Sequence, residues 1–261
     1  MMQIQTQHVG EHLRQWRQRR RLSQLDLASE AEISARHLSF LETGRSQPSR
    51  EMILHLAEQL EIPMRERNVL LVAAGFAPIF PERSLDDPAL ASARKAIEIV
   101  LEGQKPYPAF ALDRHWNIAA SNSALPQLYE GVAPELLERP VNAMRLSLHP
   151  KGLSPRIVNL AEWRAHLLHR LRAQVELTAD PKLIELQREL RSYPAPPDPP
   201  GRNAHDVVVP FKVRLGDSIL SFFSTTMVFG TPVDVTLSEL ALESFFPADA
   251  ETAAAVQRLS A

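Results

Sequence analysis

Two helix starts in close succession constrain this chain more than any other feature of its sequence. In residues 22–49, LSQLDLASEAEISARHLSFLETGRSQPS, Ser23 stands three residues before Asp26, which is the spacing of a capping box. Ser34 has the character of a second N-cap, and leucines follow both caps at helical spacing. The pattern predicts two short helices joined by a tight turn. Such a pair can place the first turn of its second helix in the major groove of DNA.

Three more helices are predicted around this pair. One covers residues 9–21, another opens at Ser49, and a third covers about 65–74 and ends at Gly75, a residue suited to a left-handed helix end. Each has apolar residues at helical spacing. Five short helices in so few residues predict a compact all-α bundle, which we assign to residues 1–75.

These residues resemble the lambda-repressor/Cro-like (Xre-type) helix-turn-helix domain over about residues 8–75. The matching segments are LSQLDLA, IS at the exit of the turn, and HLSFLETGRSQPS. Arg17 and Glu42 resemble an ion pair that braces this domain. The family usually has glycine in the turn where this chain has Glu32. A non-glycine residue with positive φ costs about 1 kcal/mol there.

Helix geometry selects the residues expected to touch DNA. The first turn of the second helix and its next outward position face the bases, while Leu38 and Leu41 face inward. The predicted DNA-binding residues are Gln24, Ser34, Ala35, Arg36, His37, Phe40, Arg45 and Ser46.

Each of these residue types suits a particular contact. The fork of Arg36 can bond guanine, although an exposed surface charge is the alternative for this residue. Gln24 and the pair Arg45 and Ser46 suit phosphates on either side. Because one helix-turn-helix unit buries little surface, we expect a homodimer on double-stranded DNA with a palindromic operator.

Composition limits the other function classes. The net charge of −2 is no DNA-binding signature by itself, but five arginines lie within residues 14–21, beside the predicted reading head, where we expect them to follow the DNA backbone. The absence of cysteine excludes disulfides and thiolate metal sites. No apolar run approaches a membrane span and no signal-peptide core is present, so a cytoplasmic, nucleoid-associated protein without membrane contact is expected.

A second domain is predicted beyond a linker at residues 76–90. Prolines break the helical pattern in FAPIFPERSLDDP, residues 76–88, and the remaining 91–261 can enclose their own core. Two strands are predicted in 109–122, mainly helices in 134–191, and a proline-rich loop at 193–201. A three-stranded antiparallel meander follows: the first strand alternates from Val207 to Leu215, and the others cover Ile219–Phe229 and Val233–Phe246. The chain is therefore expected to be multi-domain, a five-helix bundle followed by an α+β domain of the PAS kind with an antiparallel sheet.

This second domain resembles the ligand-binding domain of MmyB-like transcription regulators. The similar segments are PYPAFALDRHWNIAASN, VNAMRLSLHPKGLSPRIVNLAEWRAHLLHRLR and LALESFFPADAETA. The family joins an Xre-type head to a PAS-like domain. The resemblance implies a ligand-responsive transcription regulator, with a fatty acid or related acyl compound as effector and no other cofactor.

One helical stripe could supply a ligand pocket. Asn159, Trp163, His166 and Arg170 recur at spacings of four, three and four, while Arg145 and His149 share a face if 141–149 is helical. An acyl chain needs an apolar tunnel with a few polar groups at one end, and Arg145, His149 or His166 could receive a carboxylate. The alternative is that these polar groups tie the helices to the sheet. The strand residues Phe211, Phe222, Phe223 and Phe229 are predicted to be core.

Three hypotheses follow for the second domain. It senses an apolar small molecule, it serves only for dimerisation or contact with a protein partner, or it is an enzyme fused to a DNA-binding head. The third is disfavoured, because the sequence has no phosphate-binding loop, no dinucleotide fingerprint and no nucleophile with catalytic spacing. His166 and His169 have no evident further ligand, so neither a metal site nor a catalytic site is assigned.

Overall fold

The computed structural model describes residues 8–197 and the backbone of 209–260, with side chains up to residue 258. Val207 of the predicted first meander strand and residues 198–201 of the predicted proline-rich loop lie outside the described residues. Two compact units are present. One contains the described residues up to Arg83 together with Pro232–Ser238, and the other contains Ser84–Thr231 and the residues from Glu239 onward.

The N-terminal unit is a bundle of five helices, as predicted. Their bounds are α1 Val9–Arg19, α2 Gln24–Glu30, α3 Ala35–Glu42, α4 Arg50–Gln59 and α5 Met64–Ala73. Leucines and isoleucines from all five helices form one core, and several of these side chains are fully buried. Since each helix has only two or three turns, tertiary packing of this kind must stabilise it.

Helices α1, α2 and α4 end in the same way. Arg21, Glu32 and Glu61 each follow their helix with a positive φ, of 59°, 51° and 48° respectively. In the turn between α2 and α3, the next amide, Ile33 N, donates to Ala28 O at 2.9 Å. This bond satisfies a carbonyl at the helix end and turns an apolar side chain back to the bundle. Glu32 therefore has the left-handed conformation in which the family usually places glycine.

The described residues of the second unit form an antiparallel five-stranded sheet and five α-helices, and a further helix, α10, lies in the connection Pro232–Ser238 of the first unit. The helices are α6 Ala91–Gly103, α7 Ala143–Leu148, α8 Leu160–Thr178, α9 Pro181–Ser192, α10 Val235–Ser238 and α11 Ala250–Ser260. The strands are β1 Ala109–Leu112, β2 Ile118–Ser121, β3 Phe211–Leu215, β4 Ser218–Val228 and β5 Ala241–Pro247. The strand order is β2-β1-β5-β4-β3. This arrangement confirms the predicted fold class, an all-α bundle followed by an α+β domain.

The sheet has a core on each face. Because side chains alternate along a strand, Phe110 and Phe245 face the larger core, which α7, α8 and α9 complete. Ala109 and Ala111 face the opposite side, where Ile97 of α6 packs. Both faces of β1 are consequently buried, and its sequence AFAL is apolar throughout.

Two predictions for the meander are wrong in part. The last strand was expected over Val233–Phe246, but its first part is the helix α10 and only Ala241–Pro247 is extended. The buried Asp234 explains the difference, because its carboxylate accepts the Thr236 amide at 2.9 Å and bends the backbone away from a strand. Phe223 is only half-buried and stacks on Phe246 at 5.4 Å, and Phe229 is also half-buried.

Candidate nucleic-acid interface and ligand cavity

The start of α3 presents exposed polar side chains. Ser34 caps the helix, its hydroxyl accepting the His37 amide at 3.1 Å. Leu38 is fully buried, so the opposite side of the same turn faces outward. Arg36 and His37 are exposed there. The first turn of α3 therefore projects a cation and an imidazole from a rigid, capped helix.

A cluster of two arginines and one ring extends this surface. The guanidinium carbons of Arg36 and Arg45 lie 5.3 and 5.8 Å from the ring centroid of Phe40, within cation–π range. The backbone amides of Arg45 and Ser46 donate to Phe40 O at 2.9 and 3.1 Å, which fixes the loop that follows the helix. Sequence spacing selected these residues individually, and the structure brings Arg36, Phe40 and Arg45 together around one side chain.

A buried ion pair braces the helix from behind. Arg17 Nε and Nη2 donate to the two carboxylate oxygens of Glu42 at 2.6 and 2.9 Å, and Gln24 Nε2 donates to Glu42 at 2.7 Å. The Glu42 side chain is 1% exposed. The hydrogen bond to Glu42 raises the pKa of Arg17 above its ordinary value. This arrangement links α1 and α2 to the end of α3.

Other predicted DNA-binding residues are half-buried or use side-chain groups in hydrogen bonds within the protein. Gln24 gives its amide nitrogen to Glu42, so only its remaining groups are available to a phosphate. The Ser34 hydroxyl is used for the cap, and Ala35 and Ser46 are half-buried.

The arginine run is also divided between roles. Arg17 is buried, and Arg20 donates to the Leu60 and Glu61 carbonyls at 2.8 and 2.9 Å. Arg14, Arg19 and Arg21 remain exposed. Arg17 thus forms the bracing ion pair with Glu42 that the sequence predicted. The expectation that the run follows DNA is wrong for Arg20, whose guanidinium group holds the bundle together.

The second unit contains a small apolar cavity of about 60 Å³ between the sheet and the helices α7 and α8. Its lining is mainly aromatic and aliphatic, and includes Phe110, Trp116, Met144, Trp163 and Phe245. The volume is well below the roughly 300–1,000 Å³ of sites that hold drug-sized ligands. In this conformation the cavity accepts only a small group.

Arg170 and Glu243 are the charged residues in the lining of this cavity. Arg170 Nη2 donates to Glu243 Oε1, and the Thr226 hydroxyl donates to the same oxygen at 2.8 Å. The Arg170 guanidinium carbon lies 4.8 Å from the centroid of the Trp116 ring. Glu243 is 2% exposed. The wall of the cavity thus carries an ion pair whose charges neutralise each other, with a buried glutamate and a partly exposed arginine.

The cavity lining contains two of the six residues predicted to bind ligand, Trp163 and Arg170. The described lining does not include Arg145, His149, Asn159 or His166, and each has another contact. Asn159 precedes α8 and bonds Pro210 O and Lys212 N, at 2.8 and 3.2 Å, beside β3. His166 stacks on Trp163 with 5.5 Å between ring centroids.

Arg145 and His149 also contact other residues of the protein instead of lining the cavity. Arg145 forms a bidentate pair with Glu189 of α9, with a shortest distance of 2.7 Å. This pair holds the pKa of Glu189 below its ordinary value. His149 meets Tyr193 edge to face at 5.0 Å. The alternative prediction, in which polar groups tie the helices to the sheet, fits Asn159, whereas Arg145 and His149 join α7 to α9 and the residue that follows it.

Sequence reasoning missed Glu243, Trp116 and Ser147 in the lining. Ser147 Oγ accepts the indole N–H of Trp163 at 2.9 Å, inside the core. Glu243 could have been noticed, because it is the one charged residue in the apolar strand ALESFFP. An acid in such a strand requires a partner, which the sequence does not identify.

Neither a metal site nor a membrane span is found in the described part of the chain. No group of three or more His, Asp and Glu side chains is placed to hold a metal ion. Likewise, none of the described helices has the length and apolar character needed to cross a bilayer.

The bundle with its projecting helix, followed by a sheet domain that encloses a cavity, defines a transcription regulator with a DNA-binding head and a ligand-binding domain. Two family models agree with this assignment. Residues 8–70 match the helix-turn-helix domain, and residues 93–259 match the MmyB-like transcription regulator ligand binding domain. The second match covers more than half of the chain, so the chain belongs to the family with the MmyB-like ligand-binding domain. No curated protein matches the chain.

Proposed function

We propose that this protein is a homodimeric, sequence-specific repressor or activator whose DNA affinity is set by an apolar small molecule bound in the second unit. On this proposal it reads a palindromic operator and works at the nucleoid in the cytoplasm. The observation that carries the DNA-binding half is the capped first turn of α3, from which Arg36 and His37 project while Leu38 anchors the helix to the core.

Different roles are assigned to the two arginines at Phe40. Arg36 stands in the first turn of α3 and is assigned to a base edge, where a bidentate contact contributes about 1–3 kcal/mol of discrimination. Arg45 follows the helix, and its loop is fixed by the bonds to Phe40 O. We assign it to a phosphate, a contact that carries no sequence information.

Operator selection followed by binding titrations tests both roles. DNA fragments bound by the full chain are first selected from a random pool, and Arg36→Ala and Arg45→Ala are then compared on the selected site. Arg36→Ala should weaken binding by about 1–3 kcal/mol and relax preference at one base pair. Arg45→Ala should weaken all sequences alike and reduce the salt slope by about one. Arg188→Ala, an exposed arginine on α9, is the matched control and should change neither quantity.

Two results of these experiments would contradict the DNA assignment in whole or in part. If no fragment is retained even at low salt, DNA binding by α3 is wrong. If Arg36→Ala weakens every sequence to the same degree, the base contact is wrong while the DNA-binding surface stands.

An apolar effector is supported by the cavity lining and by the family of the second unit. Because the cavity is small, an acyl chain must displace lining side chains when it enters. A ligand that binds only the displaced arrangement shifts the population toward it, which is the requirement for a switch. The effector class proposed here is therefore an acyl chain of the fatty-acid type, carried either by the free acid or by an uncharged derivative.

Chain connectivity supplies a route for the response. The connection Pro232–Ser238 joins β4 to β5, and β5 carries Glu243 and Phe245 of the cavity lining. Within the N-terminal unit, Val235 N donates to Pro81 O at 2.9 Å, and the buried Asp234 pairs with Arg83 at 3.1 Å. A shift of β5 on ligand entry would be passed to this connection.

A second function is favoured by the same small volume. If the cavity is merely an ordinary packing gap, the second unit serves only for dimerisation or for a protein partner. Native mass spectrometry of the purified protein, with solvent extraction, distinguishes the two. A bound apolar compound whose removal changes DNA affinity supports sensing, whereas ligand-free protein with an unaltered response to added lipids supports the second function.

A further inference from the structure

The charge state of the cavity wall selects among apolar ligands. We propose that the cavity prefers ligands with an uncharged, hydrogen-bond-donating polar end, such as an alcohol or amide, and rejects carboxylates, with Glu243 as the residue that sets this preference. The inference rests on the proposed ligand-sensing function and names the ligand class for that site.

A carboxylate would need an available cation in the cavity lining. Arg170 is the cation in the described lining, and its Nη2 already donates to Glu243 and contacts the Thr226 hydroxyl at 3.3 Å. Trp116 covers the guanidinium face at 4.8 Å. An entering carboxylate would therefore meet a guanidinium whose charge is already balanced.

The buried acid Glu243 also opposes the binding of a carboxylate. Glu243 lies on β5, is 2% exposed, and pairs across the sheet with Thr226 of β4. A carboxylate brought to Arg170 would come close to this buried carboxylate, and two like charges in a water-poor site oppose binding. Displacing Glu243 would instead leave a buried acid without its partner.

An uncharged donor avoids both penalties. A ligand hydroxyl or amide N–H can donate to a carboxylate oxygen of Glu243, since a carboxylate accepts about four hydrogen bonds. The rest of the ligand contacts Phe110, Trp163 and Phe245, which provide apolar surface. The geometry thus offers an acceptor, rather than an available cation, to the polar end of the ligand.

Matched ligands of one chain length test the proposal. Delipidated full-length protein is titrated with decanol, decanamide and decanoate at a pH of about 7.5, where the decanoate ligand is ionised. Binding is followed by tryptophan fluorescence, because Trp116 and Trp163 line the cavity. Decanol and decanamide should bind about tenfold or more tightly than decanoate, because like-charge juxtaposition disfavours the acid.

Two variants test whether Glu243 sets the preference for uncharged ligands. Glu243→Gln removes the buried charge and leaves Arg170 without a counter-charge, so decanoate should gain at least about tenfold in affinity and the preference should reverse. Glu189→Gln is the matched control: this acid also pairs with an arginine, Arg145, but neither residue is in the lining. Its preference should equal that of the parent protein.

The outcomes separate the two proposals. If the parent protein binds decanoate as tightly as decanol, the selectivity proposal is overturned, while ligand sensing stands. If it binds none of the three, ligand sensing falls and the selectivity proposal falls with it. Since Glu243→Gln could unfold the unit, circular dichroism accompanies each titration, and the ligand series on the parent protein decides the matter without the variant.

Discussion

The buried ion pair between Arg17 and Glu42 allows the clearest test of what attaches α3, the helix proposed to contact DNA bases, to the rest of the bundle. Glu42→Ala removes the acceptor of three hydrogen bonds, two from Arg17 and one from Gln24. A buried guanidinium then loses its counter-charge, and removal of one partner from such a pair costs about 3–5 kcal/mol. A bundle of this size is stabilised by only about 4–11 kcal/mol in total, at about 0.05–0.15 kcal/mol per residue. The variant should therefore be close to unfolding.

Native-state hydrogen exchange of the full-length chain measures this loss. Peptides from α1, α2 and α3 should exchange faster by the factor that corresponds to about 3–5 kcal/mol, while peptides from the sheet domain keep their protection. The matched control is Glu82→Ala. Glu82 pairs with Arg65 at the same 2.6 Å distance, but its side chain is 53% exposed, so its loss should cost no more than about 1 kcal/mol.

A double variant distinguishes bracing from charge removal. Arg17→Met with Glu42→Leu replaces the pair with apolar side chains, and such replacements of buried pairs are often neutral or stabilising by about 1–4 kcal/mol. We expect it to recover most of the protection lost in Glu42→Ala. A loss below about 1 kcal/mol in the single variant, or equal losses in the single and double variants, would refute the reasoning.

Two further changes test backbone and charge separately. Glu32→Gly should raise the free energy of unfolding of the bundle by about 1 kcal/mol in urea titrations, because glycine adopts the φ of 51° without strain, and a loss of stability would contradict this. The Arg145 bond lowers the pKa of Glu189, so the pair contributes stability that is present above the unfolded pKa of about 4.3 and is lost as the pH falls through the folded pKa. In acid titrations Glu189→Gln should therefore make unfolding less dependent on pH below about 4.3, and an unchanged acid limb would contradict the sign of the shift.

The reading helix was predictable because its signals are local. Ser34, Leu38 and Leu41 fall within one stretch of sequence, and the cap and the buried stripe both follow from helix geometry. The positive φ of Glu32 was suggested only by the glycine that the family usually has there, because the residues of the turn do not fix it by themselves. The incorrect strand over Val233–Phe246 marks the limit of local reasoning. Its apolar residues suit either structure, and only the buried side chain of Asp234 decides for a helical turn.

The cavity was less predictable because it depends on partners distant in sequence. Helical spacing correctly grouped Trp163 and Arg170, which lie two turns apart on α8 and both reach the lining. The same stripe included Asn159, which lies outside the helix and bonds Pro210 beside a strand, so periodicity did not apply to it. Arg170 and Glu243 are 73 residues apart, and no spacing rule connects them.

The near-neutral composition conceals a division of arginines into two roles, and this division explains why net charge is a poor guide here. Arg17 and Arg170 are each bound to a glutamate that is almost inaccessible, so neither offers net charge to a ligand. Arg36 and Arg45 keep exposed guanidinium groups around Phe40, at the surface assigned to DNA. On the proposed function, phosphate affinity depends on these exposed arginines at one helix, whereas Arg170 of the cavity lining is paired with Glu243. On these two proposals, a chain with a net charge of −2 combines an anion-binding surface with a ligand site that rejects anions.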